Sequence, residues 1–318
     1  MLRRLLRANY IGPVAEILAP QSRQKLALDI GTGTGIWYAC LISSYHLHVT
    51  ITHDSAGLLE GPANSRMSGS ADLTLVQRCC IPSFFARADV ALLFLVTVPI
   101  ATRYPPPNVQ FEVHDASQHF QWNDNTFDLV HARNISMAVS VHLLPRYSLF
   151  SLKLKQIIDY PSMLQEVTRI LQPGGLFISN ELGSYPMFHP FFNLATCTHL
   201  PGATRFFDVV NVALRTRGIQ RIVPAVSDLL AGCGSFTDIT PQHFYMPVGP
   251  WHPNPHMQSL GMAFRAALRK YTESVRPMLS RAGWADWAMD QIINDFLHET
   301  MMVRGMVGVY STVHVRKA

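Results

Sequence analysis

Charge is scarce in this chain of 318 residues: Asp, Glu, Lys and Arg make up 15% of it, and the net charge is only +5. Apart from Arg3, Arg4 and Arg7, the basic residues are scattered. No basic stripe interleaved with aromatics appears, which argues against nucleic acid as a partner. The five cysteines, Cys40, Cys79, Cys80, Cys197 and Cys233, form no CxxC pair and no Cys/His ligand spacing. Neither a disulfide framework nor a metal site is therefore expected, and a reducing compartment suits the chain. The longest apolar run, residues 90–101, is too short for a bilayer, which takes about 20 residues. The segment Met1-Leu-Arg-Arg-Leu-Leu-Arg-Ala8 is basic but leads into no apolar core with a small-residue cleavage site, so no signal peptide is expected. These absences point to a soluble protein outside the membrane, cytoplasmic, with the nucleus as the other compartment.

What the chain has in quantity is apolar side chains, 48% of the total, ample to bury a core at this length. Leu26-Ala-Leu-Asp-Ile30 reads as a short buried strand, and the glycines after it end that strand and open a helix through Ile36 and Trp37. Further strands are expected over residues 47–52, 109–114, 127–132 and 176–179. Met163, Val167, Ile170 and Leu171 fall at helical spacing over residues 161–171, with Gln172-Pro-Gly-Gly175 as the stop. Strands alternating with helices predict a mostly parallel sheet with helices on both faces. In the last third, Met257, Leu260, Phe264, Leu268 and Tyr271 form one helical stripe, and Trp284, Trp287, Ala288, Ile292 and Phe296 form another after Pro277. Strand-like residues 243–248 and 307–315 bracket them, so residues 256–304 read as a helical insert between the last two strands of a single domain, 1–318, serving either as a cap over the substrate or as ordinary core packing.

The chemistry concentrates in the turn after the first strand. Its spacing is Asp29-x-Gly31-x-Gly33-x-Gly35, where glycines let backbone approach a ligand and the following helix start offers unpaired N–H groups. An acid two residues before the first glycine would face another anion in a dinucleotide site. Beside the ammonium group of an amino-acid-bearing cofactor it is complementary, which favours S-adenosylmethionine over NAD. A tight structural turn capped by Asp29 is the plain alternative.

Several segments together resemble the class I methyltransferases, in particular a fungal branch related to secondary-metabolism methyltransferases and the velvet-system regulator. They are Asn9-Tyr-Ile-Gly-Pro13, Leu28-Asp-Ile-Gly-Thr-Gly-Thr-Gly-Ile-Trp37, Pro106-Pro-Asn-Val-Gln-Phe111, Phe127-Asp-Leu-Val-His-Ala-Arg133, Leu171-Gln-Pro-Gly-Gly175 and Tyr310-Ser-Thr-Val-His-Val-Arg316. The resemblance implies a doubly wound, Rossmann-like, seven-stranded sheet and S-adenosylmethionine as cofactor. It implies that Gly31, Gly33 and Gly35 cradle the cofactor's methionine part and that Asp29 anchors the ammonium end. It further implies that Asp115, with Ala116 beside it, meets the adenine, that Arg133 and Asn134 lie near the methyl group, and that Tyr10 belongs to a segment folding over the cofactor. As a bare sequence feature, Asp115 reads equally as a cap and Tyr10 as a core residue.

The pattern breaks in two places. Such folds hold the ribose with an acid at the end of the second strand, but the expected position reads Phe94-Leu-Val-Thr-Val98 without a carboxylate. Asp54 stands at a suitable distance from the glycines to substitute. Residues 38–95 and 140–158 depart from the family altogether. They read either as intron-like sequence translated in an inaccurate gene model or as lineage-specific surface loops, which a fold tolerates because closure entropy grows slowly with length.

Catalytic groups are few: His131, Glu181 and His189 are the candidate bases, although a lone histidine is more often structural. His243, His252 and His256 are separated by prolines and lack metal-ligand spacing. The expected function is methyl transfer to oxygen or nitrogen of a small hydrophobic metabolite, with no nucleic acid and no membrane as partner. The rivals are a methyltransferase-like regulator acting through protein partners, and a relic that has lost cofactor binding.

Overall fold

The computed structural model describes residues 2–6, 8, 10–19, 23–30, 48–53, 109–113, 119–135, 160–192, 199–216 and 225–318. In chain order the helices are α1 (Leu2–Leu6), α2 (Val14–Ile17), α3 (Tyr160–Ile170), α4 (Pro201–Arg215), α5 (Val226–Gly232), α6 (Pro255–Arg281) and α7 (Asp286–Met302). The strands are β1 (Leu26–Ile30), β2 (His48–His53), β3 (Val109–Val113), β4 (Phe127–Arg133), β5 (Leu171–Leu182), β6 (Met187–Phe188), β7 (Phe236–Pro247) and β8 (Met306–Lys317).

One mixed sheet runs β3-β2-β1-β4-β5-β8, and β7 pairs with β8. β1 to β5 are mutually parallel, while β8 is antiparallel to both β5 and β7. The mostly parallel sheet is as expected. Among the described residues the sheet has eight strands where seven were expected. The additional one is the two-residue β6, which pairs with Met306 and Val307 at the start of β8.

Burial on both faces explains the apolar runs of the central strands. Leu28 and Ile30 of β1, Val130 and Ala132 of β4 and Phe177 of β5 pack with α3 and α5 on one face, around Phe120, Phe127 and Phe236. On the other face Ala27, Leu129, Leu176 and Ile178 meet Ile11, Val14 and Leu18 of the N-terminal segment. A third cluster joins α4, α6 and α7 to the ends of β7 and β8 through Met246, Val248 and Met306. There the Phe206 and Phe296 rings stack at 4.7 Å with an interplanar angle of 4°.

Local chemistry departs from the sequence expectations at three points. Leu171, expected to end the helix, and Gln172 to Gly175, expected as its stop, belong to β5, and a register shift against β4 absorbs the Pro-Gly-Gly step. At Gly175 a Cβ would lie 2.8 Å from the Gln172 carbonyl oxygen, so only glycine fits. β7 begins at Phe236 rather than at residue 243, with a register shift between Thr237 and Thr240 and a positive φ at Asp238. Pro277 does not separate the two long C-terminal helices: α6 continues through it to Arg281, with Val275, Met278 and Leu279 fully buried around it. Packing there offsets the one backbone bond that proline forfeits.

Two polar devices hold the frame. Asp128 at the start of β4 takes hydrogen bonds from Arg23, from Lys25 Nζ at 3.1 Å and from the Leu26 N–H at 3.0 Å, tying β1 to β4. Glu299 of α7 accepts from the N–H groups of Gly202, at 3.2 Å, and Ala203, at 2.7 Å. It supplies the cap that α4 lacks locally, since its N-cap residue is Leu200.

Candidate functional site

In an open parallel sheet, ligands bind beyond the carboxyl ends of the strands where the strand order reverses. Here that point lies between β1 and β4, because β2 and β3 continue on one side of β1 and β4 and β5 on the other. Period-2 alternation and the register place Asp29 of β1 directly opposite His131 of β4. Asp29 is fully buried, and His131 and Asn180 are nearly so.

The three form a chain. His131 Nδ1 is 2.7 Å from Asp29 Oδ1, and His131 Nε2 is 2.6 Å from Asn180 Nδ2. A carboxylate only accepts, so Nδ1 carries the proton. Burial pushes the imidazole pKa down, Asp29 partly offsets this and Arg133 adds to it, so the ring is neutral and Nε2 accepts from the Asn180 amide. Among the described residues, Asp29 Oδ2 and Asn180 Oδ1 are buried without a hydrogen-bond partner. A buried carboxylate oxygen lacking a donor is costly, and an ammonium group is the kind of donor that satisfies it.

Beyond this row the strand ends are clamped together. Asn134 has φ 52°, a conformation asparagine tolerates better than most residues. Its N–H donates to the Asn180 carbonyl at 2.8 Å, and its Oδ1 accepts from the Leu182 N–H at 3.1 Å. Its side chain also hydrogen-bonds Tyr310, whose pKa burial raises. Glu181 Oε1 accepts the Ile135 N–H at 3.0 Å. Tyr160 Oη and Ser179 Oγ are 3.2 Å apart on the same sheet face as Glu181, and burial raises the Tyr160 pKa as well.

His189 follows β6, with its ring 4.7 Å from Phe191, 5.2 Å from Tyr245 and 5.8 Å from Trp251 by centroid. Its Nδ1 accepts the Phe191 N–H at 3.2 Å, and burial followed by the neighbouring His252 lowers its pKa. Tyr185, Met187 and Phe191 are exposed nearby. Tyr185 donates to Asp208 at 2.7 Å, and Asp208 lines a groove of about 420 Å³ with Thr204, Arg205 and Val209 of α4. Tyr10 packs against the N-terminal cluster over the Asp29 face.

Of the site residues expected from sequence, the structure brings Asp29, His131, Arg133, Asn134 and Glu181 to the carboxyl ends of adjacent strands. His189 sits apart, beyond β6. Gly31, Gly33, Gly35, Asp54, Asp115 and Ala116 lie outside the described residues. Asn180, Ser179, Tyr160 and Tyr310 were missed. The signal for Asn180 was the polar run Ser179-Asn-Glu181 closing an otherwise apolar strand. Among the described residues no group of three His, Cys, Asp or Glu side chains is arranged for a metal ion, and no helix is long and apolar enough to cross a membrane.

No family model matches the chain. A secondary metabolism regulator, LaeA, of Coprinopsis cinerea is 27% identical over 215 residues, 64% of this chain and 47% of that protein. The methyltransferase PytC of Aspergillus terreus is 26% identical over 251 residues, 78% of this chain and 57% of that one. The resemblance to the fungal secondary-metabolism branch of class I methyltransferases is borne out. The chain spans about half the length of these curated relatives. Among solved structures, phosphoethanolamine N-methyltransferase 2 of Haemonchus contortus in complex with S-adenosyl-L-methionine aligns with a TM-score of 0.47 and 14% identity, over 99% of this chain and 55% of that one. The geranyl diphosphate C-methyltransferase of Streptomyces coelicolor, in complex with S-adenosyl-L-homocysteine, aligns with a TM-score of 0.41 and 12% identity, over 95% and 73% of the two chains.

Proposed function

We propose that this chain binds S-adenosylmethionine at the carboxyl ends of β1 and β4 and transfers its methyl group to oxygen or nitrogen of a small hydrophobic metabolite. The observation that carries the reading is the buried, unpartnered Oδ2 of Asp29 at the point where the strand order reverses. The residues present fit the cofactor: an acid for its ammonium group, then glycines at 31, 33 and 35 in the sequence that follows. When bound, S-adenosylmethionine supplies an already activated methyl group on a sulfonium.

The protein's own part is then binding and alignment. Asp29 holds the cofactor's amino end. Asn134 fixes the β4 exit against β5 and β8, so that Arg133 and the backbone after it keep one position. Tyr185, exposed and hydrogen-bonded to Asp208 at the edge of the groove along α4, offers an aromatic surface for an acceptor ring. Holding such a nucleophile in line supplies much of the rate, because bringing two reactants together in a fixed geometry removes a large entropic part of the barrier. His131, Glu181 and His189 are each engaged within the protein, which favours a mechanism resting on proximity over one with a dedicated base.

A second reading follows from the relative named as a regulator: a methyltransferase-like protein working through protein partners. Incubation of the full chain with methyl-tritiated S-adenosylmethionine and a fungal metabolite extract separates the two. Label in the organic-soluble small-molecule fraction is the expected result. Label in neither small molecules nor protein, from material that binds the cofactor, overturns the enzymatic reading in favour of the regulator.

A further inference from the structure

We infer that His131 is a positioning residue for cofactor recognition, holding the Asp29 carboxylate so that its second oxygen faces the cofactor's ammonium group. The inference rests on the S-adenosylmethionine reading of this site. It adds a specific second layer behind the anchoring acid, made of His131 and Asn180.

The geometry leaves few alternatives for the imidazole. His131 is 1% exposed and is bonded at both ring nitrogens, so it has no free nitrogen to offer an acceptor. A carboxylate on a strand can rotate about its Cα–Cβ and Cβ–Cγ bonds. The Nδ1–H bond to Oδ1 removes that freedom and leaves Oδ2 as the only oxygen available to a ligand. Asn180 in turn fixes which ring nitrogen carries the proton, because its amide occupies Nε2 as donor. The register supports the arrangement: Asp29 pairs with His131, and Arg133 with Asn180, on neighbouring strands. The acid is thus set by backbone hydrogen bonding across β1, β4 and β5. This is the way outer partners orient ligating groups elsewhere, by fixing tautomer and rotamer.

A residue that merely fills the core affects all parts of the ligand alike. A residue that positions Asp29 affects recognition of the amino group alone. The probes are S-adenosylhomocysteine and its des-amino analogue, in which hydrogen replaces the amino group. Calorimetric affinities for both are measured with the full-length protein and with His131→Leu and His131→Asn. Asparagine places an amide nitrogen near the Nδ1 position and so keeps the donor to Asp29; leucine does not.

The wild type is expected to prefer S-adenosylhomocysteine over the des-amino analogue by about tenfold or more, the size of one charge-assisted hydrogen bond. The preference should collapse to about twofold in His131→Leu and persist in His131→Asn. A preference unchanged in His131→Leu overturns the inference even if both affinities fall, since that is what a purely structural residue gives. If His131→Leu does not fold, His131→Gln takes its place, because its amide reaches toward Asn180 and not Asp29. The same collapse is expected there, and an unchanged preference again overturns the inference. A wild type that binds both ligands equally also overturns it, and one that binds neither instead overturns the reading of the site itself.

Discussion

His131 Nδ1 and Asp29 Oδ1 lie 2.7 Å apart with both side chains shut off from solvent, and they come from strands that the sequence separates by about a hundred residues. Asp29→Asn keeps the shape of this pair and removes the charge. Its affinity for S-adenosylmethionine is expected to fall at least about tenfold, the loss of one hydrogen bond to a charged group, with little change in melting temperature. Calorimetric titration beside a thermal melt checks this; unchanged affinity contradicts the anchoring role.

Glu299 reaches across from α7 to the first turn of α4. Glu299→Ala uncovers the N–H groups of Gly202 and Ala203 and leaves them in a largely buried junction. The expected loss is about 1–2 kcal/mol of stability, read by urea unfolding, while Glu299→Gln retains part of it. Equal stability of Glu299→Ala and wild type contradicts the cap.

Asp128 sets an acid limit. Burial works to raise its pKa, but hydrogen bonds from Arg23, the Leu26 N–H and Lys25 hold it below the ordinary carboxylate value. A carboxyl with a depressed folded pKa contributes stability above its unfolded pKa of about 3.9 and loses it as pH falls through the lower folded value. Asp128→Asn should therefore be markedly less stable than wild type at pH 6, with the gap narrowing at lower pH. A gap that does not depend on pH contradicts this.

Histidines set a second, milder dependence. Burial lowers the pKa of His131, His189 and His314. Between the folded values and the unfolded value of about 6.5 the unfolded chain binds more protons, so stability rises with pH through that window. The melting temperature is expected to be higher at pH 7.5 than at pH 5.5, and His314→Gln should flatten the slope. A melting temperature that rises on acidification contradicts the account.

The parallel core was legible because strands buried on both faces are mostly apolar: Leu26 to Ile30 and Phe127 to Ala132 are each broken by only one or two polar residues. Asp29 stood out as a charge inside the first run, two residues before a glycine. The first half of β7 was not legible, since Thr237-Asp-Ile-Thr-Pro241 is polar and carries a proline. It is a strand because it pairs with β8 alone, and an edge tolerates both. The amphipathic α4 was overlooked because no local cap marks its start; the cap comes from Glu299, 97 residues away from Gly202. The pairing of His131 with Asp29 was equally out of reach, because it is set by strand register and no local pattern encodes which strand lies beside β1.

The central claim is that the carboxyl ends of β1 and β4 bind S-adenosylmethionine. Calorimetric titration of the full-length chain with S-adenosylmethionine tests it most directly. The account predicts a saturable single-site heat whose affinity falls at least about tenfold in Asp29→Asn. No heat and no thermal stabilisation at millimolar cofactor, from protein that melts cooperatively, would contradict it.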